Sequence, residues 1–365
     1  MRILLFKYVI PMLFLLPFAL LANEDGGMKG RYTKEKTIKR EFDVNSDALF
    51  KVKNSYGNLN LTSWDQNKVM IEVHIKTNGN NEDRVQDRLE EINVDFENTS
   101  SVVSAITRFG NRSNNWKGWN WGKRNNVNVQ VNYTIKLPVK NSVHLSNDYG
   151  NIYLDRIDGH AKISCDYGKM EIGELRGRNN ELRFDYTSRS TFEYVNSAEI
   201  IADYSGFTIE KAGDLTVRAD YTNSVVKEMG NLDYSSDYGS IQVDNVKNVK
   251  GNGDYIGVKL GKVNGNIEIT ADYGSVKISK MASDAGDVNI RTDYTGIKIG
   301  YDPNYHFDFD ITTEYAGVSG INDFEIQVRK EKSSERYYNG YYGDDNSGNV
   351  VYINSEYGGI SFYKN

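Results

Sequence analysis

The feature that most constrains this chain is a short signature that keeps returning: an acidic residue, then tyrosine, then a turn. Tyrosine stands at positions 149, 167, 186, 204, 221, 238, 255, 273, 294 and 315, at intervals of 17 to 21 residues. An earlier copy, Ser55-Tyr56-Gly57, and a later one, Glu356-Tyr357-Gly358, bring the set to twelve. A period this short describes a unit too small to bury its own apolar side. Such units become stable by stacking on their neighbours.

The pattern inside one copy gives the local structure. In IEITADYGSVKI, residues 267–278, Ile267, Ile269, Ala271 and Tyr273 alternate with Glu268, Thr270 and Asp272. That is strand periodicity with tyrosine on the apolar face. After Gly274, Val276 and Ile278 resume the alternation. The residue two before tyrosine is usually small: Cys165, Ala202, Ala219, Ser236, Gly253, Ala271, Thr292, Thr313 or Ser355. A small neighbour leaves room for an inward ring, so the expectation is an internal tyrosine ladder, with Phe184 as the exception and Cys165 as a buried small residue. Glycine follows tyrosine directly at 150, 168, 239, 274 and 358, or one residue later at 206, 257, 296 and 317. Its expected job is the positive φ of the turn.

Two strands and two turns per copy predict an all-β, single-stranded β-solenoid (β-helix) with coils of about 18 residues marked by Asp-Tyr-Gly turns, plus one short capping helix. A propeller blade needs a longer period. A transmembrane barrel needs apolar outward positions, where this chain has Glu, Thr, Asp, Lys and Arg. The 33 glycines, 4 prolines and 26 tyrosines agree with many turns and strands.

The flanks divide the chain. Residues 1–22, MRILLFKYVIPMLFLLPFALLA, read as a cleaved signal peptide, with Arg2 and Lys7 before an apolar run. No later apolar stretch reaches the length of a membrane span. Residues 23–140 read as N-terminal coils, and 141–365 as the repeat array. Val85, Leu89 and Ile92 at helical spacing predict a capping helix near 81–92. Residues 93–107 and 127–137 look like two long strands around an insertion at 108–124. The segment 324–353 interrupts the array with a tyrosine-rich hairpin, whose expected turn is Asn339-Gly340.

The segment Ser-Tyr-Gly-Asn-Leu-Asn-Leu at 55–61, the following Trp64-Asp65 and the tandem Asp-Tyr-Gly copies resemble a bacterial putative-adhesin family. This is a domain-of-unknown-function family of exported β-strand-repeat proteins found in Bacteroidetes-type bacteria. The resemblance covers nearly all of the chain after residue 22. It implies an extracytoplasmic β-solenoid and brings no catalytic residues with it.

Charge and residue types narrow the chemistry. The formal net charge is −6, and −8 once residues 1–22 are removed, which argues against nucleic-acid binding. A single cysteine excludes an internal disulfide. His74, His144, His160 and His306 are scattered without metal-ligand spacing, and no nucleophile–base motif occurs. The acids before tyrosine form one candidate site. They either accept backbone N–H groups of their own turns or hold a row of Ca²⁺, for which Asp166, Asp203, Asp220, Asp237 and Asp272 are the ligands. The second candidate is the insertion, where Trp116, Trp119 and Trp121 accompany Arg112, Lys117, Lys123 and Arg124. It suits an envelope glycan, a headgroup surface or a protein partner; the alternative is a loop whose tryptophans fold back onto the array. No other cofactor is expected, and the oligomeric state is not legible. The expected function is an exported, non-enzymatic, adhesin-like binding or scaffold protein, in the periplasm or at the cell surface. The alternatives are a polysaccharide-active β-helix enzyme and a periplasmic accessory of a signalling system.

Overall fold

A computed structural model of the protein describes residues 28–110 and 127–365. They are all-β with one helix, and the sheet does not close on itself. Most copies contribute one strand that ends at or just before the acidic residue and one that starts after the turn. Strands Ser142–Asp148, Ala161–Asp166 and Asn180–Asp185 pair in parallel, with Asp148, Asp166 and Asp185 in register. After the turns, Ile152–Ile157, Met170–Leu175 and the first part of Ser190–Asp203 stack in the same way. From Ser190–Asp203 to Ser240–Asp254, one long strand carries both roles, and neighbours pair in parallel along most of their length.

Register puts like on like. Ile269 pairs with Ile290, which pairs with Ile353. The alternate inward positions of all copies merge into one apolar cluster running from Val44 to Phe362. Parallel strands need both neighbours for their backbone bonds, so the cohesion of any copy comes from the copies on either side.

Chain order and stacking order differ at both ends. Strand Leu49–Ser55 lies between Ser142–Asp148 and Val102–Phe109. At the far end, Val350–Glu356 inserts between Val288–Asp293 and Phe307–Glu314. The copy of Tyr357 therefore stacks before that of Tyr315, although it follows it in sequence.

The helix falls at Glu82–Glu91, where the spacing predicts it. Asn81 caps it by accepting the Arg84 N–H at 3.0 Å, and Val85 and Leu89 are buried. It packs on strands Tyr32–Asp43 and Lys68–Gly79, and the Thr77 hydroxyl donates to the Val85 carbonyl at 2.9 Å. Residues 93–107 are not one strand. They form a hairpin of Ile92–Asn98 and Val102–Phe109, because the Thr99 hydroxyl accepts the N–H groups of Ser101 and Val102 and bends the chain there.

The tyrosine-rich hairpin exists, but its turn lies elsewhere. Strands Glu325–Glu331 and Glu335–Tyr342 are antiparallel, so the bend is at 332–334 and Asn339-Gly340 is mid-strand. Gly340 is needed there for close approach: a Cβ would stand 2.0 Å from the Glu325 carbonyl oxygen. Tyr342 joins Tyr301, Tyr305, Phe307, Phe309, Phe324 and Phe362 in a buried aromatic plug that covers the last copies.

Candidate functional site

The twelve repeat tyrosines point outward, not into the core. Each has a positive φ, between 48° and 64°, and each is 46–61% exposed. The strand alternation predicts an inward ring because it carries the parity one residue too far. A left-handed residue at the end of the strand turns the chain and sends its side chain to solvent. The small residues two before tyrosine therefore do not make room for a ring, and Phe184 fits inside against Phe207.

The left-handed conformation costs an ordinary residue about 1–2 kcal/mol, so something must hold it twelve times. One source is the backbone. In eleven copies the tyrosine N–H continues the ladder through the turn by donating to a carbonyl of the adjacent copy, as in Tyr204 to Asp220, Tyr221 to Asp237 and Tyr238 to Asp254, at 2.9–3.0 Å, and at the end Tyr315 donates to Ser334 in the hairpin bend. The other is ring stacking. From Tyr56 to Tyr315, successive rings lie 4.6–5.4 Å apart and within 9° of parallel. An aromatic pair contributes about 0.5–1.5 kcal/mol. Eleven steps at the strand spacing make an external ladder on the order of 50 Å long. Phe109 meets the Tyr56 ring edge-on, 5.7 Å away, at one end.

The turn glycines are not the positive-φ residues, since tyrosine takes that role. Those directly after tyrosine are needed for space: a Cβ on Gly150, Gly168 or Gly274 would stand 1.9–2.1 Å from a carbonyl oxygen of the adjacent copy. One residue later, a Cβ on Gly296 would meet nothing, and on Gly206 or Gly257 it would make only ordinary contact at 3.9 Å.

The acids form a second column beside the rings, and it includes Asp166, Asp203, Asp220, Asp237 and Asp272. Their carboxylates do not bond to their own turns. Asp203, Asp220 and Asp237 each accept the backbone N–H of the acid in the next copy, at 2.8–3.2 Å, and Asp272 accepts that of Asp293 at 3.0 Å. Burial, then the neighbouring Asp185, raises the Asp166 carboxyl above its usual range. Burial, then Asp237 and Asp272, does the same at Asp254. The exposed tyrosines 167, 238, 273 and 357 are shifted up by burial and by the adjacent rings. Among the described residues, no three His, Cys, Asp or Glu side chains converge as a metal cage.

The other candidates are placed as follows. Trp116, Trp119, Trp121, Arg112, Lys117, Lys123 and Arg124 lie outside the described residues. Cys165 is fully buried, its thiol pushed up to about 12 by burial and the nearby Asp166. His74 meets Glu35, His306 meets Asp344, and His144 and His160 touch edge-on.

One column escapes a reading by eye. Seven residues before the tyrosine, Asp214, Asn231, Asn248, Asn266 and Asp287 recur. In the structure they link copy to copy at the far end of the strand. The Asn231 amide donates to Asp214 at 2.6 Å, the Asn248 amide donates to Asn231 at 2.7 Å, and Asn248 accepts the Asn266 N–H at 2.8 Å. Aligning the copies on tyrosine exposes that recurrence.

With this geometry in hand, comparison with known proteins gives the following. No protein-family model matches the chain, and no curated protein matches it. Solved structures do. A putative cell adhesion protein from Clostridium sporogenes is 13% identical, with 91% of this chain and 100% of that one covered and a TM-score of 0.19. A putative adhesin from Parabacteroides distasonis is 14% identical over 74% of this chain and 93% of that one, with a TM-score of 0.29. A putative adhesin from Bacteroides fragilis is 9% identical over 90% and 97%, with a TM-score of 0.24. At such identities, neither a ligand nor an activity passes from those proteins to this one.

Proposed function

We propose that this protein is an exported β-solenoid of the bacterial cell envelope that acts without catalysis, as an adhesin-like binding or scaffold protein. The observation that carries the reading is the tyrosine edge: twelve exposed, stacked rings beside a column of acids, repeated on a rigid frame. Exposed aromatic rows of this size are unusual for a surface with no partner, and tyrosine is enriched at contact surfaces. The acids are spread evenly along the array, where a catalytic pair would break the regularity. Among the described residues, no helix is long and apolar enough to cross a membrane, which fits attachment through contacts.

The test is capture of envelope extract and polysaccharide fractions by the chain lacking residues 1–22. Two variants run in parallel: Tyr204, Tyr221 and Tyr238 changed to Asn, which tolerates the left-handed turn, and Trp116, Trp119 and Trp121 changed to Ala. Capture lost in the tyrosine variant supports the edge as the contact surface. Loss only in the tryptophan variant moves the site to the insertion. Turnover of a polysaccharide by the purified chain overturns the reading.

Ca²⁺ is the competing role for the acidic column. Because Asp203, Asp220, Asp237 and Asp272 each already give one oxygen to a backbone N–H of the next copy, chelation is expected to leave the melting temperature unchanged. A fall of many degrees on adding EDTA would put the cation in the ladder.

A further inference from the structure

One strand length from the tyrosine edge, a groove of about 1080 Å³ runs along the stacking direction. One wall is the outward column Glu181, Glu199, Thr216, Asp233, Lys250 and Glu268, in which each residue is the register partner of the next. The other wall is the amide column of Asn231, Asn248 and Asn266, with Ser197 and Asp214 at its start. We propose that this groove binds an extended polysaccharide chain free of acidic groups, laid along the array with about one sugar per copy. The proposal rests on the binding role argued above and adds a second surface to it.

Three properties of the groove point to that ligand. The first is its chemistry. Both walls are polar, and the amides are held in place by their own ladder while each Nδ2 keeps a second N–H for a partner. Fixed amides and carboxylates suit vicinal hydroxyl groups, which donate and accept at once. An apolar helix or an acyl chain would leave them desolvated and unpaired.

The second is charge. Five carboxylates (Glu181, Glu199, Asp214, Asp233 and Glu268) line the groove against Arg178 and Lys250. Glu181 is engaged by Lys162 at 2.5 Å, Glu199 by Arg218 at 3.2 Å and Lys250 by Glu268 at 3.2 Å, so the carboxylates left without a cation among the described residues are Asp214 and Asp233. At mid-groove this leaves Thr216 and Asp233 without a side-chain partner among the described residues. A polyanion meets repulsion here, whereas a neutral or amino sugar meets acceptors.

The third is period. Copies repeat at the strand spacing of about 4.8 Å, and an extended pyranose chain advances by roughly the same distance per unit. The walls span six copies, from Glu181 to Glu268, so a chain of about six sugars would fill the groove with the same contacts repeated.

The experiment is titration calorimetry on the protein lacking residues 1–22. The probes are neutral glucan oligosaccharides, chitooligosaccharides and oligogalacturonates of two to eight units. Affinity for the first two is expected to rise with length and level off near six units, with no oligogalacturonate binding. Thr216→Trp fills the groove from an outward strand position and is expected to weaken binding at least tenfold. Lys259→Trp, on the other stack, is expected to leave binding unchanged. Should Thr216→Trp alter the melting temperature, Asp233→Lys at an exposed position gives the same readout, with lost neutral-sugar binding. Preference for the acidic oligomers, affinity independent of length, or full binding by both groove variants overturns the assignment. So does the absence of binding by every probe. A protein that captures envelope material but binds none of these oligosaccharides loses the groove assignment and keeps the binding role.

Discussion

The same residue does opposite jobs in two regions of this molecule. Along the array edge, tyrosine is exposed, left-handed and stacked on its own copies. In the plug at the far end, Tyr301, Tyr305 and Tyr342 are buried among phenylalanines. Buried tyrosines hold by area removed from water and by a satisfied hydroxyl, as where Tyr305 donates to the Gly286 carbonyl at 2.5 Å. Edge tyrosines hold by repetition, since each depends on the copy before and after. One array thus carries a sealed end and an open flank made from one amino acid.

The comparison can be broken most forcefully in the plug. Tyr305→Ala is expected to cost about 3–5 kcal/mol, the range for removing a buried large aromatic, read as a large drop in denaturation midpoint. A loss below about 1 kcal/mol would mean the plug is ornamental. Next comes the turn. Gly274→Ala should cost about 1–3 kcal/mol, because its Cβ meets the Ile256 carbonyl oxygen at 2.1 Å. Gly296→Ala, open on all sides and without positive φ, should be neutral or gain up to about 1 kcal/mol. Equal effects at the two sites would refute the spatial account of the turn glycines.

Tyr221→Ala at the edge should cost about 1–3 kcal/mol, chiefly the two stacked contacts. A loss as large as that of Tyr305→Ala would show the edge to be part of the core.

The smallest effect is electrostatic. A carboxyl raised in the folded state binds protons more readily there than in the unfolded chain, so its contribution to stability improves as pH falls through the folded value and is lost as pH rises through it. Asp254→Asn, which removes that repelled charge, is expected to raise the melting temperature slightly at pH 7. The gain should vanish near pH 3, where Asp254 itself is protonated. A variant less stable at pH 7 would show that the charge is needed.

Much of this was legible in the chain. The copies, their strand pairs and the cap of Val85 and Leu89 follow from period and alternation, and Cys165 is buried as its position implies. What was hidden has physical reasons. A left-handed tyrosine is rare, so parity carried the ring inward. Asn339-Gly340 has the composition of a hairpin turn, yet the approach of the Glu325 backbone keeps it in a strand. Residues 93–107 bend at Thr99 through a hydroxyl, a short-range bond that alternation does not register. The amide column and its groove exist only between copies and cannot be seen within one.

The displaced last copy has a consequence for how the molecule is completed. Strand Val350–Glu356 fills the slot between Val288–Asp293 and Phe307–Glu314. A ribosome delivers Phe307–Glu314 first, yet its parallel neighbour does not exist until residues 350–356 emerge. Copies up to Tyr294 can be laid down in order of arrival, but Val350–Glu356 must be wedged in afterwards, like the last stave of a cask. The slot thus closes only after residues 350–356 have been made.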